Sequence, residues 1–424
     1  MNNIGIIAEY NPFHNGHQYQ IQKVKSLFPN QNILIMMSGD FVQRGEPAIY
    51  NKYIRTKCAL YAGADIVFEL PSIFAAASAE HFACAAVLSF AATGVIDTLC
   101  FGAENDNYAL FNRIADLLIN EPSDYQNLLR QHLKAGLSYP KARAMAAGQY
   151  LQDDDCEAFL RQPNNILGVE YIKAIRKYHL DIKPCIIKRQ GSGYHDMSLD
   201  HPFSSATALR KLLNTPSQNC VTGDSTSSGS CLLPPEISNY MPAACFKLLS
   251  ESKYARPLFL SDFYGFLQYA LWQHNSGYRE YFEVTDEISN RLSRLQQYPA
   301  HIDELLDYLS GKNYTNTRIK RALLNILLQN TKEDMIKAKN AGYTPYLRIL
   351  GLRRHASPVL REIKQYGTIP LINKTADANK ILSSNCFYCF QKDIRVSTLY
   401  KQAFHNKYGY SMPSEYQQSV IIEN

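Results

Sequence analysis

His14 and His17, separated by Asn15 and Gly16, follow directly on the apolar run IGIIAEY (4–10). Two imidazoles three positions apart at a helix entrance can face the same way. Gly16 between them permits close backbone approach. On these residues alone three readings stay open: a phosphate held at a helix start, a structural turn, or half of a metal site. The metal reading lacks a third ligand nearby and the HExxH pattern. A second group lies in SATALR (205–210), with Ser205 and Thr207 at a helix start and Arg210 one turn in. Hydroxyls, free N–H groups and a guanidinium suit the far phosphates of a nucleoside triphosphate.

The elements that must position these groups alternate in type. Near-continuous apolar runs read as strands at 4–10, 33–39, 65–71, 96–104 and 182–189. Helical patterns fall between them, at 53–64, at the Ala-rich stretch after Pro71, at 164–178 and at 204–213. Such alternation predicts an α/β fold with a mainly parallel sheet covered on both faces. In such sheets ligands bind beyond the carboxyl ends of the strands. NPFHNGH, SGDFVQRG, FGAEN and KRQGSGYHD all fall at those ends. Residues 214–235 are polar, small and Pro-bearing, and read as a linker or mobile loop. From 236 to 424 the pattern is mostly helical, interrupted by two strand-like pieces, PYLRILGL (345–352) and IPLI (369–372). The expected organisation is therefore an α/β domain over 1–213, which would carry the site, the linker, and a second, mostly helical domain over 236–424.

The 424 residues are 46% hydrophobic and 19% charged, with a formal net charge of +6, which allows an anionic partner without requiring one. No basic start precedes the first apolar run, as a secretory signal would need. FACAAVLSFAATGVI (82–96) falls short of the roughly 18–20 residues of a membrane span, so no membrane partner is expected. Ten scattered cysteines suit reduced thiols and a cytoplasmic location. Cys386 and Cys389 form a lone CFYC without partners at metal-finger spacing, and no metal ligand set is assigned.

HNGH together with SATALR resembles the paired signatures of the nucleotidylyltransferase superfamily, although Ala206 stands where a serine is usual and Ser204 lies just upstream. GIIAEYNPFHNGH, SGDFVQRGEPAI (38–49), FGAEN (101–105), PNNILGVEYIKAI (163–175) and KRQGSGYHD before SSATALR are similar, in order, to the bacterial tRNA(Met) cytidine acetate ligase family. The resemblance continues weakly through PYLRILGL and IPLI. It implies a Rossmann-like nucleotidylyltransferase domain and a two-step reaction. ATP and acetate would give acetyl-adenylate and pyrophosphate, and the acetyl group would pass to N4 of the wobble cytidine of elongator tRNA(Met).

The resemblance also implies a site. ATP would lie along Ile7, Ala8, Glu9, Tyr10, Asn11, Pro12, Phe13, His14, Asn15, Gly16, His17, Gln18, Tyr19 and Gln20, with Gly102, Asn164 in preference to Asn165, and Arg189. Ser205, Thr207 and Arg210 would meet the far phosphates. His14 and His17 are the expected stabilisers of charge on the α-phosphate. Mg²⁺ is a candidate companion of the triphosphate. Asp40, Gln43 and Arg44 in SGDFVQRGEP mark a candidate lid or substrate loop, with an ordinary surface loop as the other reading.

For the tRNA, the second half supplies a basic run between 312 and 364 in which Arg318, Lys320, Arg321, Arg348, Arg353 and Arg354 are the expected phosphate contacts. Tyr314, Tyr343, Tyr346 and Tyr366 could stack on bases. Two rival functions use the same parts: a nucleotidylyltransferase making a small cofactor, and a non-catalytic RNA-binding protein on the same scaffold.

Overall fold

The computed structural model describes residues 3–190, 205–214, 233–274, 277–311 and 314–424. Its frame is an eight-stranded sheet. The strands are β1 (Asn3–Ala8), β2 (Asn32–Ser38), the small hairpin β3 (Phe41–Val42) and β4 (Glu46–Pro47), β5 (Ile66–Leu70), β6 (Ile96–Ala103), β7 (Lys183–Lys188), β8 (Leu347–Arg353), β9 (Leu371–Ile372) and β10 (Ile421–Glu423). The hairpin forms its own ladder, and the main sheet runs β10-β8-β5-β2-β1-β6-β7 with β9 beside β8. β5, β2, β1, β6 and β7 are mutually parallel.

β1 alternates between two buried layers. Ile4 and Ile6 join one apolar cluster and Ile7 the other. A strand buried on both sides needs apolar residues at every position, which is why these strands read as continuous runs. The layers are helical: α1 (Asn15–Leu27), α2 (Lys52–Ala62), α3 (Ala79–Ala92), α4 (Pro163–Lys177) and α5 (Ala206–Asn214) flank the sheet and its ends. Among the helices that follow are α6 (Tyr264–Gln273), α7 (Asn316–Leu327) and α8 (Ser384–Tyr408).

The expected boundary near 236 is crossed by the sheet. The stretch 258–328 builds a helical core of its own, shared with α8 and with Phe41 and Ala76. The chain then returns: β8 pairs antiparallel with β5, and β10 pairs with β8. The two strand-like pieces thus extend the sheet of the first half of the chain. A buried ion cluster seals this edge. Lys52 meets Glu69 at 2.7 Å and Glu415 at 2.9 Å, and Arg348 meets the same two carboxylates at 3.1 and 2.7 Å. Most of the expected linker, 215–232, lies outside the described residues.

Candidate active site

Strand order reverses at β1, with β2 on one side and β6 on the other. A crevice must open at their carboxyl ends, because the connections leave in opposite directions there. Arg55 on α2, 1% exposed, holds that rim in place. Its guanidinium donates to the carbonyls of Glu9 at 2.6 Å and Ser38 at 2.9 Å, and in a short bond to that of Gly39. One buried cation therefore ties the ends of β1 and β2 together. Beyond β1 the chain turns through Tyr10, at φ +51°, and a cis Asn11–Pro12 peptide into α1.

The start of α1 is capped by its own histidines. His14 Nδ1 accepts from Gly16 N at 3.0 Å, and His17 Nδ1 accepts from His14 N at 3.2 Å. The rings stack with centroids 3.8 Å apart. Gly16 is required, since a Cβ there would stand 2.8 Å from the His14 ring. An Nδ1 that accepts a backbone hydrogen carries no proton, so in each neutral ring the proton sits on Nε2. Burial, then Arg189 and Arg210, lowers the His14 pKa to about 3. Burial, then His14 and Arg189, holds His17 well below its ordinary value. The pair consists of neutral Nε2–H donors at neutral pH. Positive charge comes from the arginines.

These groups line one cleft of about 260 Å³, together with Ile7, Ala8, Glu9, Tyr10, Asn11, Gln20, Gly102, Asn164, Arg189, Ser205, Thr207 and Arg210. Gly16 and Tyr19 line a smaller recess beside it, which His14 and Arg189 also border. The remaining residues of the expected strip serve the turn. Phe13 is buried against Tyr10 and His17. Asn15 donates to the backbone carbonyls of Asn239 and Tyr240. Gln18 bonds back to His14 O at 3.2 Å, and Pro12 follows the cis bond.

The phosphate-type donors cluster at α5. Ser205 Oγ accepts from Ala208 N at 3.2 Å and so caps the helix. Thr207 Oγ1 accepts from Arg44 Nη1 at 3.1 Å and from Arg210 Nη2 at 2.9 Å, while Arg210 Nη1 donates to Asn11 O at 3.0 Å. With both lone pairs taken, the Thr207 hydroxyl proton is left to donate. This bears on the gap at Ala206: the cap comes from Ser205, and Thr207 is the hydroxyl aimed by two guanidiniums. Ser204 and residues 191–196 of KRQGSGYHD lie outside the described residues.

Of the SGDFVQRG residues, Gln43 and Arg44 line the cleft. Asp40 does not; it is 3% exposed and accepts from Ser397 and the Lys52 backbone. Asn165 is buried and caps the turn after β6, accepting from Glu104 N and Asn105 N, whereas Asn164 faces the cleft. The sequence reasoning passed over the apolar wall of Ala79, Phe82, Phe101, Ile166, Leu167 and Tyr171. Its legible signals were Phe101 in FGAEN, beside Gly102, and the first turn of PNNILGVEY, beside Asn164.

Among the described residues Glu9 is the one carboxylate lining the cleft, and its Oε1 accepts from Gln43 N at 2.8 Å. Among the described residues no three His, Cys, Asp or Glu side chains gather as a metal site. Mg²⁺ keeps most of its shell as water and phosphate oxygens, so it fits here as a companion of the nucleotide, with Glu9 the available protein ligand among the described residues.

The expected RNA contacts separate. Arg348 and Arg321 are not available to a phosphate. Arg348 is buried against Glu69 and Glu415, and Arg321 is 9% exposed and bonded to Glu283 at 2.8 Å. Tyr346 is buried as well. Lys320 bonds to Glu46. Arg353 ends β8 and Arg354 follows it, with Arg353 N donating to the carbonyl of Asp65 just before β5. That is the amino end of the parallel strands, opposite the cleft. Arg318 lies over the Tyr314 ring at 5.8 Å, at the start of α7.

The whole chain has close relatives. The family model described as HIGH Nucleotidyl Transferase matches residues 1–414. The tRNA(Met) cytidine acetate ligase of Caldanaerobacter subterraneus subsp. tengcongensis is 35% identical over 411 residues, covering 96% of both chains. That of Acetivibrio thermocellus is 34% identical over 423 residues, covering 99% of both. Among solved structures, apo TmcAL from Thermotoga maritima superimposes with a TM-score of 0.89 at 27% identity, covering 100% of this chain and 99% of the other. The same protein bound with alpha-thio ATP gives 0.87 over the same extents. The chain belongs to the HIGH nucleotidyl transferases and, within them, to the tRNA(Met) cytidine acetate ligase family.

Proposed function

We propose that the chain is an ATP-dependent ligase that activates acetate as acetyl-adenylate and acetylates N4 of the wobble cytidine of elongator tRNA(Met). The observation that carries the reading is the pair of neutral Nε2–H imidazoles stacked at a helix start, with three arginines lining the same cleft.

In the first step an acetate oxygen attacks the α-phosphorus. The bond to the bridging oxygen breaks, and pyrophosphate leaves with the electron pair. Acetate is ionised at neutral pH and needs no general base. The protein's work is alignment and charge stabilisation. His14 and His17 donate to the α-phosphate oxygens as negative charge shifts there. Thr207, Arg210 and the first N–H groups of α5 take the leaving pyrophosphate. Gly102 leaves room for the nucleoside beside β6, and Asn164 and Arg189 border it. Mg²⁺, where present, adds charge neutralisation on the phosphates.

In the second step N4 of the cytidine attacks the acyl carbon, the acyl–oxygen bond breaks with its electron pair leaving on AMP, and one N4 proton is released to solvent. A base from an anticodon loop enters at low cost, since it is not paired in a duplex. The surface we assign to its flank is Tyr314 and Arg318 at the start of α7, on the helix that packs against the hairpin of Gln43 and Arg44. The cytoplasm, where ATP and tRNA meet and thiols stay reduced, is the place for this work. No helix among the described residues is long and apolar enough to cross a membrane.

Purified protein incubated with ATP, isotopically labelled acetate and bacterial tRNA, followed by nucleoside mass spectrometry, tests the proposal. Labelled N4-acetylcytidine is the expected product. Pyrophosphate release without labelled nucleoside would remove the acceptor assignment, and absence of both would remove the ligase.

A further inference from the structure

Glu46 on β4 stands between the cleft and α7. Its Oε1 accepts a short bond from Lys320 Nζ, while its Oε2 lies 3.9 Å from Arg210 Nε. All three side chains are at most a quarter exposed. Arg44, two residues earlier, shares Thr207 Oγ1 with Arg210. Three cations thus surround one carboxylate at the mouth of a site built for a polyanion. Burial alone would raise the Glu46 carboxyl, but Lys320 and then Arg210 outweigh it and pull it below its ordinary value, so it stays charged.

The contact is built in. Gly45 sits at φ +78°, and a Cβ there would stand 2.4 Å from Arg321 N. Only glycine lets the hairpin approach α7 this closely, and the approach brings Glu46 to Lys320.

A carboxylate beside Arg210 competes with phosphate for the same guanidinium. The two distances show which cation holds it: contact with Lys320, and no hydrogen bond to Arg210. We propose that Glu46 is a positioning residue, kept off Arg210 and Arg44 by Lys320, so that α7 sets the affinity of the cleft for ATP. Removing the lysine charge releases Glu46 onto the arginines, which then bind triphosphate less well. A ligand phosphate that drew Lys320 away would do the same, which links occupancy of the α7 surface to the nucleotide. The inference rests on Arg210 and Thr207 facing the phosphates.

Acetate-dependent ATP–pyrophosphate exchange on the full chain tests it, with the thermal midpoint recorded for each variant. Lys320→Met should raise KM for ATP about five-fold, the size of a partly buried ion pair, with kcat changed less than about two-fold. Lys320→Arg should retain the wild-type KM. Glu46→Gln combined with Lys320→Met should show the KM of Glu46→Gln alone, because no carboxylate is left to release. Additive losses in the double variant would overturn the proposal, leaving the pair as a strut between hairpin and helix. So would an unchanged KM in Lys320→Met when Arg210→Met raises it. If Arg210→Met also leaves KM unchanged, the phosphate assignment itself falls and this inference with it.

Discussion

Charge gathers in two places in this molecule, and the two are built in opposite ways. At the sheet edge, Lys52, Arg348 and Lys401 meet Glu69 and Glu415 in the interior. Burial works against the Lys52 charge, yet Glu415 and Glu69 outweigh it and raise its pKa. The same balance, through Lys52 and Arg348, pulls Glu415 down. Every charge there is answered from within the chain. In the cleft, Arg44, Arg189 and Arg210 line a surface where, among the described residues, Glu9 is the one carboxylate and burial keeps two histidines neutral. An excess of cations and polar donors around open volume is a binding site. A closed set of ion pairs is a joint. The lesson is that an arginine's role follows from who answers its charge, which sequence position does not disclose.

The comparison breaks most visibly at the joint. Arg348→Met leaves Glu69 and Glu415 with one partner fewer in the interior and should cost about 3–5 kcal/mol of stability. Urea unfolding reads this directly, and a loss under about 1 kcal/mol would mean that water reaches the cluster. In the cleft, His17→Ala should lower the rate of adenylate formation about 10²–10³-fold, the usual worth of one preorganised donor, while tRNA binding measured by filter retention is retained. Loss of both together would make the histidine structural.

Acid should separate the regions further. The unfolded histidines take protons near pH 6.5, but His14 does so only at about 3 in the fold. Because the native state binds fewer protons in that window, the stability contribution is complete above pH 6.5 and declines as pH falls towards 3. His14→Asn should flatten the pH dependence of the thermal midpoint by about one proton, and an unchanged slope would refute the neutral assignment. Smaller effects belong to the surface. Arg318→Ala should weaken tRNA binding and reduce its salt slope by about one unit. Replacing Arg353 and Arg354 by Gln should change tRNA affinity less than about two-fold, since they lie at the other end of the sheet. A large loss there would relocate the RNA path.

Much of this was legible in the residues. Strands buried on both faces declare themselves as unbroken apolar runs, and motifs at strand ends mark the crevice, so β1, β2, β5 and the cleft histidines could be read. β6 and the edge strand β7, only partly buried, were legible from their apolar residues and the turns that follow them. The return of β8 could not. PYLRILGL looks alike whether it pairs locally or with a strand far back in the chain, and only long-range register distinguishes the two. A clue was Arg348 itself, a charge inside an apolar strand, which implies a buried partner. β10 is three residues long and carries no pattern. The basic run misled because Arg321 and Arg348 gain their counter-ions, Glu283, Glu69 and Glu415, only through folding. The neutrality of the histidines was equally hidden, since it depends on burial and on Arg189, far along the sequence.

The central claim is that the cleft alone carries out the adenylation. Acetate-dependent exchange of labelled pyrophosphate into ATP, measured without tRNA, tests it most directly. Exchange that requires acetate and disappears with His17→Ala is the predicted result. Exchange that is absent until tRNA is added, or that survives His17→Ala unchanged, would contradict it.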